Sequence, residues 1–250
     1  MGPVPVRRYR MTRSRARTSA QPSGKSDGFN MGRTKALPAY RALTAVWTLI
    51  PRGDKQIVKA SGKRTGRLFP PSNGHEPAGV YDLPHFDFHF YTVPVEVRNS
   101  IVPSDPAFAT KAASFPAAEF RAPFYLDAAT ARSVAPALAT VPLMGLHWLD
   151  VRSPELQMLT GHPEAFKPFT KTFIYGSWNG DFIFDEPMIT RAYIISKRGA
   201  VDPAVVDEIV PVPAAQRYAP NGYYPNAYRI TYDAKAKEYR IALTQLSWRD

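Results

Sequence analysis

The chain of 250 residues contains no cysteine. That excludes disulfide bonds and thiolate ligands, so any metal centre must be built from His, Asp, Glu and backbone oxygen. With no thiol nucleophile, a cysteine-based hydrolytic triad is excluded. The chain also lacks a run of the roughly 18 to 20 apolar residues that a membrane-spanning helix needs. Glycine-rich phosphate loops are missing, and no nucleotide cofactor of the Rossmann or P-loop kind is expected. Twenty-five prolines against 15 glycines make the chain turn-rich and argue against long helices.

Acidic side chains are scarce at one end. Residues 1–70 hold 16 of the 32 Lys and Arg but only Asp27 and Asp54 of the 21 acids, a net +14. The other 180 residues hold 16 basic and 19 acidic side chains, a net −3. The overall +11 therefore belongs entirely to the N-terminal segment. Its stretch RRYRMTRSRARTSAQPSGKSDG has the composition of a disordered tail. Such an arm can bind nucleic acid or an anionic membrane by charge alone. No base-stacking aromatic pattern or DNA-binding motif accompanies the arginines, so a solvated tail is expected and nucleic acid is not an expected partner. An Arg/Pro/Ser/Gly/Ala-rich composition is also what an off-frame reading of GC-rich DNA gives, so a misplaced start is a second expectation for residues 1–70. Ala42 to Ile50, preceded by Arg33, Lys35 and Arg41, is the one candidate export signal, and it lacks a small-residue cleavage site.

From Gly79 to Asp250 the composition changes to aromatic and aliphatic runs punctuated by Pro, Gly and Asn, which marks a folded β-rich domain. Gln56-Ile57-Val58 reads as a short strand ahead of it. Asp105 and Asp127 are plausible helix starts, each an acidic cap before alanine-rich sequence. Val141 to Asp150 reads as a turn leading into a strand. Between Phe169 and Glu186, Asn179-Gly180 separates two aromatic runs and specifies a two-residue hairpin, because both turn positions need positive φ. Tyr228–Tyr232 and Glu238–Leu246 form a second expected hairpin. These elements predict a mainly β fold, an antiparallel barrel or sandwich with short helical insertions.

The chemistry is concentrated in residues 84–91, PHFDFHFY. Strict alternation with aromatic residues predicts a strand in which Phe86, Phe88 and Phe90 face a core and His85, Asp87 and His89 face the other way. Two imidazoles flanking a carboxylate suit a divalent metal: zinc, nickel, iron or manganese. His85 and His89 would be first ligands, with Asp87 either a third ligand or a group that orients a histidine. The alternative is a polar, solvated strand face that binds nothing. His147, between Leu146 and Trp148, is the candidate third histidine, with Asp150 near enough to orient it. Glu186 is the candidate acid, as fourth ligand or general base. Counting outward from Asn179-Gly180 places Glu186 opposite Phe173, on the face of Phe182 and Phe184, and Pro187 after it suggests the strand's end at the rim. His75 and His162 lie in Pro/Gly-flanked loops and receive no role.

PHFDFHFY, PLMGLHWLD and FTKTFIYGSWNGDFIFDEPMIT occur in this order and together resemble an uncharacterised bacterial domain family, typified by a Thermus protein controlled by an extracytoplasmic sigma factor and its anti-sigma factor. The resemblance covers residues from about 80 to 195. It implies a β-rich fold, homo-oligomeric assembly and an envelope, periplasmic or secreted setting. It carries His85, Asp87, His89, His147 and Glu186 over as positions within the family's blocks, without certifying them as ligands. A small-molecule ligand at a metal site and a non-catalytic envelope or stress-response role remain the two functional expectations.

Overall fold

A computed structural model describes the backbone of residues 46–52, 55–61 and 66–69 and the full chain of residues 74–250. Of the basic N-terminal segment expected over residues 1–70, residues 1–45 lie outside the described residues, and strands occupy 46–52, 55–61 and 66–69. Among the described residues thirteen strands form three sheets: β1 (Val46–Arg52), β2 (Lys55–Ser61), β3 (Gly66–Phe69), β4 (His85–Tyr91), β5 (Tyr125–Asp127), β6 (Leu146–Asp150), β7 (Lys171–Trp178), β8 (Asp181–Thr190), β9 (Asp207–Pro211), β10 (Gly222–Tyr224), β11 (Ala227–Asp233), β12 (Glu238–Thr244) and β13 (Ser247–Arg249). One sheet runs β2-β1-β12-β11-β9, another β3-β4-β8-β7-β6-β5, and β10 and β13 form a small ribbon. All the strand pairs are antiparallel. Because β1, β2 and β3 pair into these sheets, the sheets extend N-terminal of Gly79.

The two larger sheets make a sandwich. Phe86, Phe88 and Phe90 of β4, Phe173 of β7 and Ile189 of β8 pack against Tyr228 and Ile230 of β11 and Tyr239, Ile241 and Leu243 of β12. In β4, β11 and β12 every second residue contributes, as the pleat dictates. Among the described residues the six helices are short: α1 (Val95–Asn99), α2 (Phe108–Ala113), α3 (Ala128–Arg132), α4 (Pro136–Ala139), α5 (Arg191–Gly199) and α6 (Pro203–Val206). Asp127 caps α3 by accepting from the Thr130 amide at 2.8 Å and the Thr130 hydroxyl at 2.6 Å. Asp105 instead accepts from the Ala107 amide, and α2 begins only at Phe108. Ile194 of α5 enters the sandwich core, while Lys197 is buried and bonds Glu208 on β9 at 2.6 Å.

The Asn179-Gly180 hairpin forms as expected, with φ of 52° and 89° and Trp178 opposite Asp181. The expected register outward from it does not hold. Ser177 pairs with Phe182 but Gly176 with Phe184, so Ile183 is an extra residue on β8. This bulge places Glu186 opposite Ile174 instead of Phe173. Pro187 does not end the strand either: β8 continues to Thr190 with Pro187 opposite Phe173.

Candidate metal centre

The face of the six-stranded sheet that turns away from the sandwich core is also buried. His85 and His89 are each 1% exposed and Glu186 is 2% exposed. Val80, Tyr81, Leu156 and Phe169 pack over Ile174 and Met188 on this face, and Tyr91 and Phe184 pack with Ile101 and Phe108. The solvated strand face expected as the alternative is therefore corrected: loops close over it, and its polar groups need partners.

Cross-strand register explains which groups meet. His85 pairs with Thr190, Asp87 with Met188 and Phe90 with Asp185, which sets His89 across from Glu186 on the neighbouring β8. On the far side of β7, His147 lies opposite Gly176, itself opposite Phe184. The bulge at Ile183 brings Glu186 onto the same face as His89 and His147. His89 Nε2 and His147 Nε2 each lie 3.5 Å from the same oxygen, Glu186 Oε2. Ligands at about 2.1 Å around a tetrahedral ion stand about 3.4 Å apart, so this spacing suits one zinc-sized cation.

Gly176 makes the arrangement possible. A Cβ there would lie 1.8 Å from the Phe184 ring. With glycine, the ring lies across the strand and forms a wall against both imidazoles, with centroids 4.7 Å from His89 and 5.2 Å from His147.

His85 and Asp87 belong to a second group. Four strand residues separate the Cα atoms of His85 and His89 by about 13 Å, too far for the single shell expected around both. His85 Nε2 instead faces Asp87 Oδ1 at 3.3 Å, and the third member is His75, a loop residue to which the sequence assigns no role. Pro77-Ala78-Gly79 turns the chain back, with the Val80 amide donating to the Pro77 carbonyl and the His75 amide to the Tyr81 carbonyl. The His75 ring is thereby set 4.7 Å from that of His85. That turn is the signal from which His75 was recoverable. His162 is exposed beside Glu164, away from both groups. Asp150 does not orient His147: three residues along a strand it points to the opposite face, where it pairs with Arg152 at 2.8 Å.

The electrostatics follow from burial. Burial lowers His147 to about 4, so its imidazole is neutral at physiological pH. Burial pushes the Glu186 carboxyl well up, and the charge of Asp87 adds to the shift. For Asp87 burial acts upward, but the adjacent His85 imidazole, together with the His89 and His75 rings, outweighs it and holds the carboxyl low. For His85 burial acts downward, and the adjacent Asp87 carboxylate outweighs it, raising the ring. A cation among these donors would favour neutral imidazole and ionised carboxylate, reversing the upward pull on Glu186.

No family model, curated protein or solved structure matches the chain. Among the described residues no helix is long and apolar enough to cross a membrane.

Proposed function

We propose that the protein binds a divalent metal through His89, His147 and Glu186, and that a small oxygen-containing molecule is the substrate or ligand at this centre. The observation that supports it is the convergence of two imidazole nitrogens on one buried carboxylate oxygen at 3.5 Å each. Two imidazoles and a carboxylate suit zinc, nickel, manganese or ferrous iron, and three protein donors leave a position for water or a ligand oxygen. His147 is the most accessible of the three, its side chain 19% exposed against 1% and 2% for the others, so a ligand approaches from its side. A bound metal supplies Lewis-acid polarisation of an oxygen or a more acidic water. The chain's own residues hold the donors and exclude water through the Phe184 and Tyr91 rings.

The deep burial of Glu186 favours a second reading, in which the cluster is a proton-satisfied structural element of an oligomeric envelope or stress-response protein, as the family resemblance suggests. Elemental analysis of tag-free protein beside the His89→Ala/His147→Ala variant separates the two. Near-stoichiometric metal in the parent and its loss in the variant support the metal centre. No metal in a well-folded parent, even after incubation with zinc, nickel, manganese and ferrous iron, would refute it.

A further inference from the structure

We infer that His75, His85 and Asp87 form a second divalent-cation site, with ligands of its own, at the outer end of the same sheet face. The three residues each offer a donor atom within 4.8 Å of the others. Both rings are fixed in the tautomer that a metal requires. His75 Nδ1 lies 2.7 Å from the Glu76 carbonyl and His85 Nδ1 2.7 Å from the Leu83 carbonyl. A carbonyl only accepts, so Nδ1 carries the hydrogen in each ring and Nε2 presents a lone pair.

The buried pair makes the stronger argument. His85 Nε2 and Asp87 Oδ1 are both shielded from solvent, lie 3.3 Å apart, and neither has a hydrogen-bond partner among the described residues. With Nδ1 of His85 already donating, two lone-pair atoms face each other in a desolvated setting, which is costly unless a positive charge sits between them. A proton on His85 Nε2 would supply one charge. His75 is the reason to prefer a metal: a protonated His85–Asp87 pair has no use for a second imidazole brought alongside by a closed loop.

The donor set defines the cation. Two imidazoles and one carboxylate favour zinc, nickel, cobalt or copper over calcium or magnesium, which prefer all-oxygen shells. His75 is exposed, so this ion exchanges with solvent and keeps positions open, unlike the enclosed inner group. The two groups share no ligand, although Asp87 and His89 are neighbours on one strand face, about 7 Å apart at Cα. Occupation of one site is therefore separable from that of the other.

The test is zinc stoichiometry by equilibrium dialysis of chelator-stripped, tag-free full-length protein, with cobalt(II) absorption as a second readout. Two ions per chain are expected in the parent, one in His75→Ala, one in His147→Ala and none when the two changes are combined. Asp87→Asn, which preserves the shape of the side chain, is expected to weaken the outer ion at least 10-fold and leave the inner one in place. If His147→Ala loses nothing while His75→Ala loses one ion, the outer site stands and the inner centre fails. A parent that binds one ion unaffected by His75→Ala overturns the outer site. So does a parent whose single ion is lost in either variant, since one shared shell would then explain the binding.

Discussion

Replacing Gly176 by alanine tests whether the Phe184 wall sets the geometry of the inner donors. The new Cβ would lie 1.8, 2.0 and 2.3 Å from three atoms of the Phe184 ring, where ordinary contact begins at 3.4 Å. The ring must move by about 1.6 Å, and it has little room, being 1% exposed and packed against His89, His147 and Tyr91. Overpacking of this kind costs about 1 to 3 kcal/mol, and the severity of the overlap puts Gly176→Ala at the upper end. A metal constellation tolerates only about 0.5 Å of displacement, so the shift transmitted to the imidazoles is expected to weaken zinc binding about 10- to 100-fold. Denaturant unfolding of the metal-free protein reads the first effect and a competitive zinc titration the second. Gly199→Ala is the control: nothing lies within 4 Å of a Cβ there, and alanine in place of a helical glycine is expected to be neutral or stabilising by up to about 1 kcal/mol. Parental stability and zinc affinity in Gly176→Ala would show that Phe184 relaxes freely and does not position the histidines.

Three further outcomes are expected away from the donor groups. Glu208 accepts from Lys197 at 2.6 Å and Tyr193 at 2.7 Å and pairs with Lys171 at 3.2 Å, while Lys197 is 1% exposed; Glu208→Ala leaves that ammonium buried and is expected to cost about 3 kcal/mol in urea unfolding at pH 7. Burial acts to raise the Glu208 carboxyl, but these partners outweigh it and hold it low. Its contribution is therefore complete above the ordinary Glu range of about 4.3 and is lost as pH falls through the lower folded value. The stability gap between parent and Glu208→Gln should narrow below about pH 4, and a gap that widens there would reverse the sign of this reasoning. Asp127→Ala removes the α3 cap and is expected to cost about 1 to 2 kcal/mol by the same unfolding measurement, whereas Asp127→Asn should retain most of the stability.

Most strands were readable because the chain states their two faces plainly. PHFDFHFY alternates without a break, and the structure puts its phenylalanines in the sandwich core and its polar residues on the other face. Asn179-Gly180 and the Tyr228 and Glu238 segments likewise gave hairpins where turn chemistry and alternation agreed. Barrel and sandwich could not be separated, because closure depends on which strands pair at long range. The position of Glu186 was misjudged because one unpaired residue, Ile183, shifts everything beyond it, and a bulge leaves little trace in local composition. The membership of the polar groups was misjudged for a geometric reason: spacing along β4 shows that His85 and His89 share a face, whereas their partners come from β8, β6 and a loop. His75 needed the Pro77-Ala78-Gly79 turn to be read as a return of the chain, not as filler between elements.

The alternation in β4 has a consequence for how this protein can change. The same seven residues carry the aromatic core on one side and donors of both groups on the other, so inserting or deleting a single residue there would exchange the two sides at once. The inner donors therefore cannot be gained or lost by sliding the strand without losing the sandwich. The third outer donor sits on a short loop bridged at His75 and Tyr81, where a residue can be replaced without touching either sheet. The inner donor group is tied to the register of the sheet that carries it, whereas the outer one can be altered by edits to a single loop.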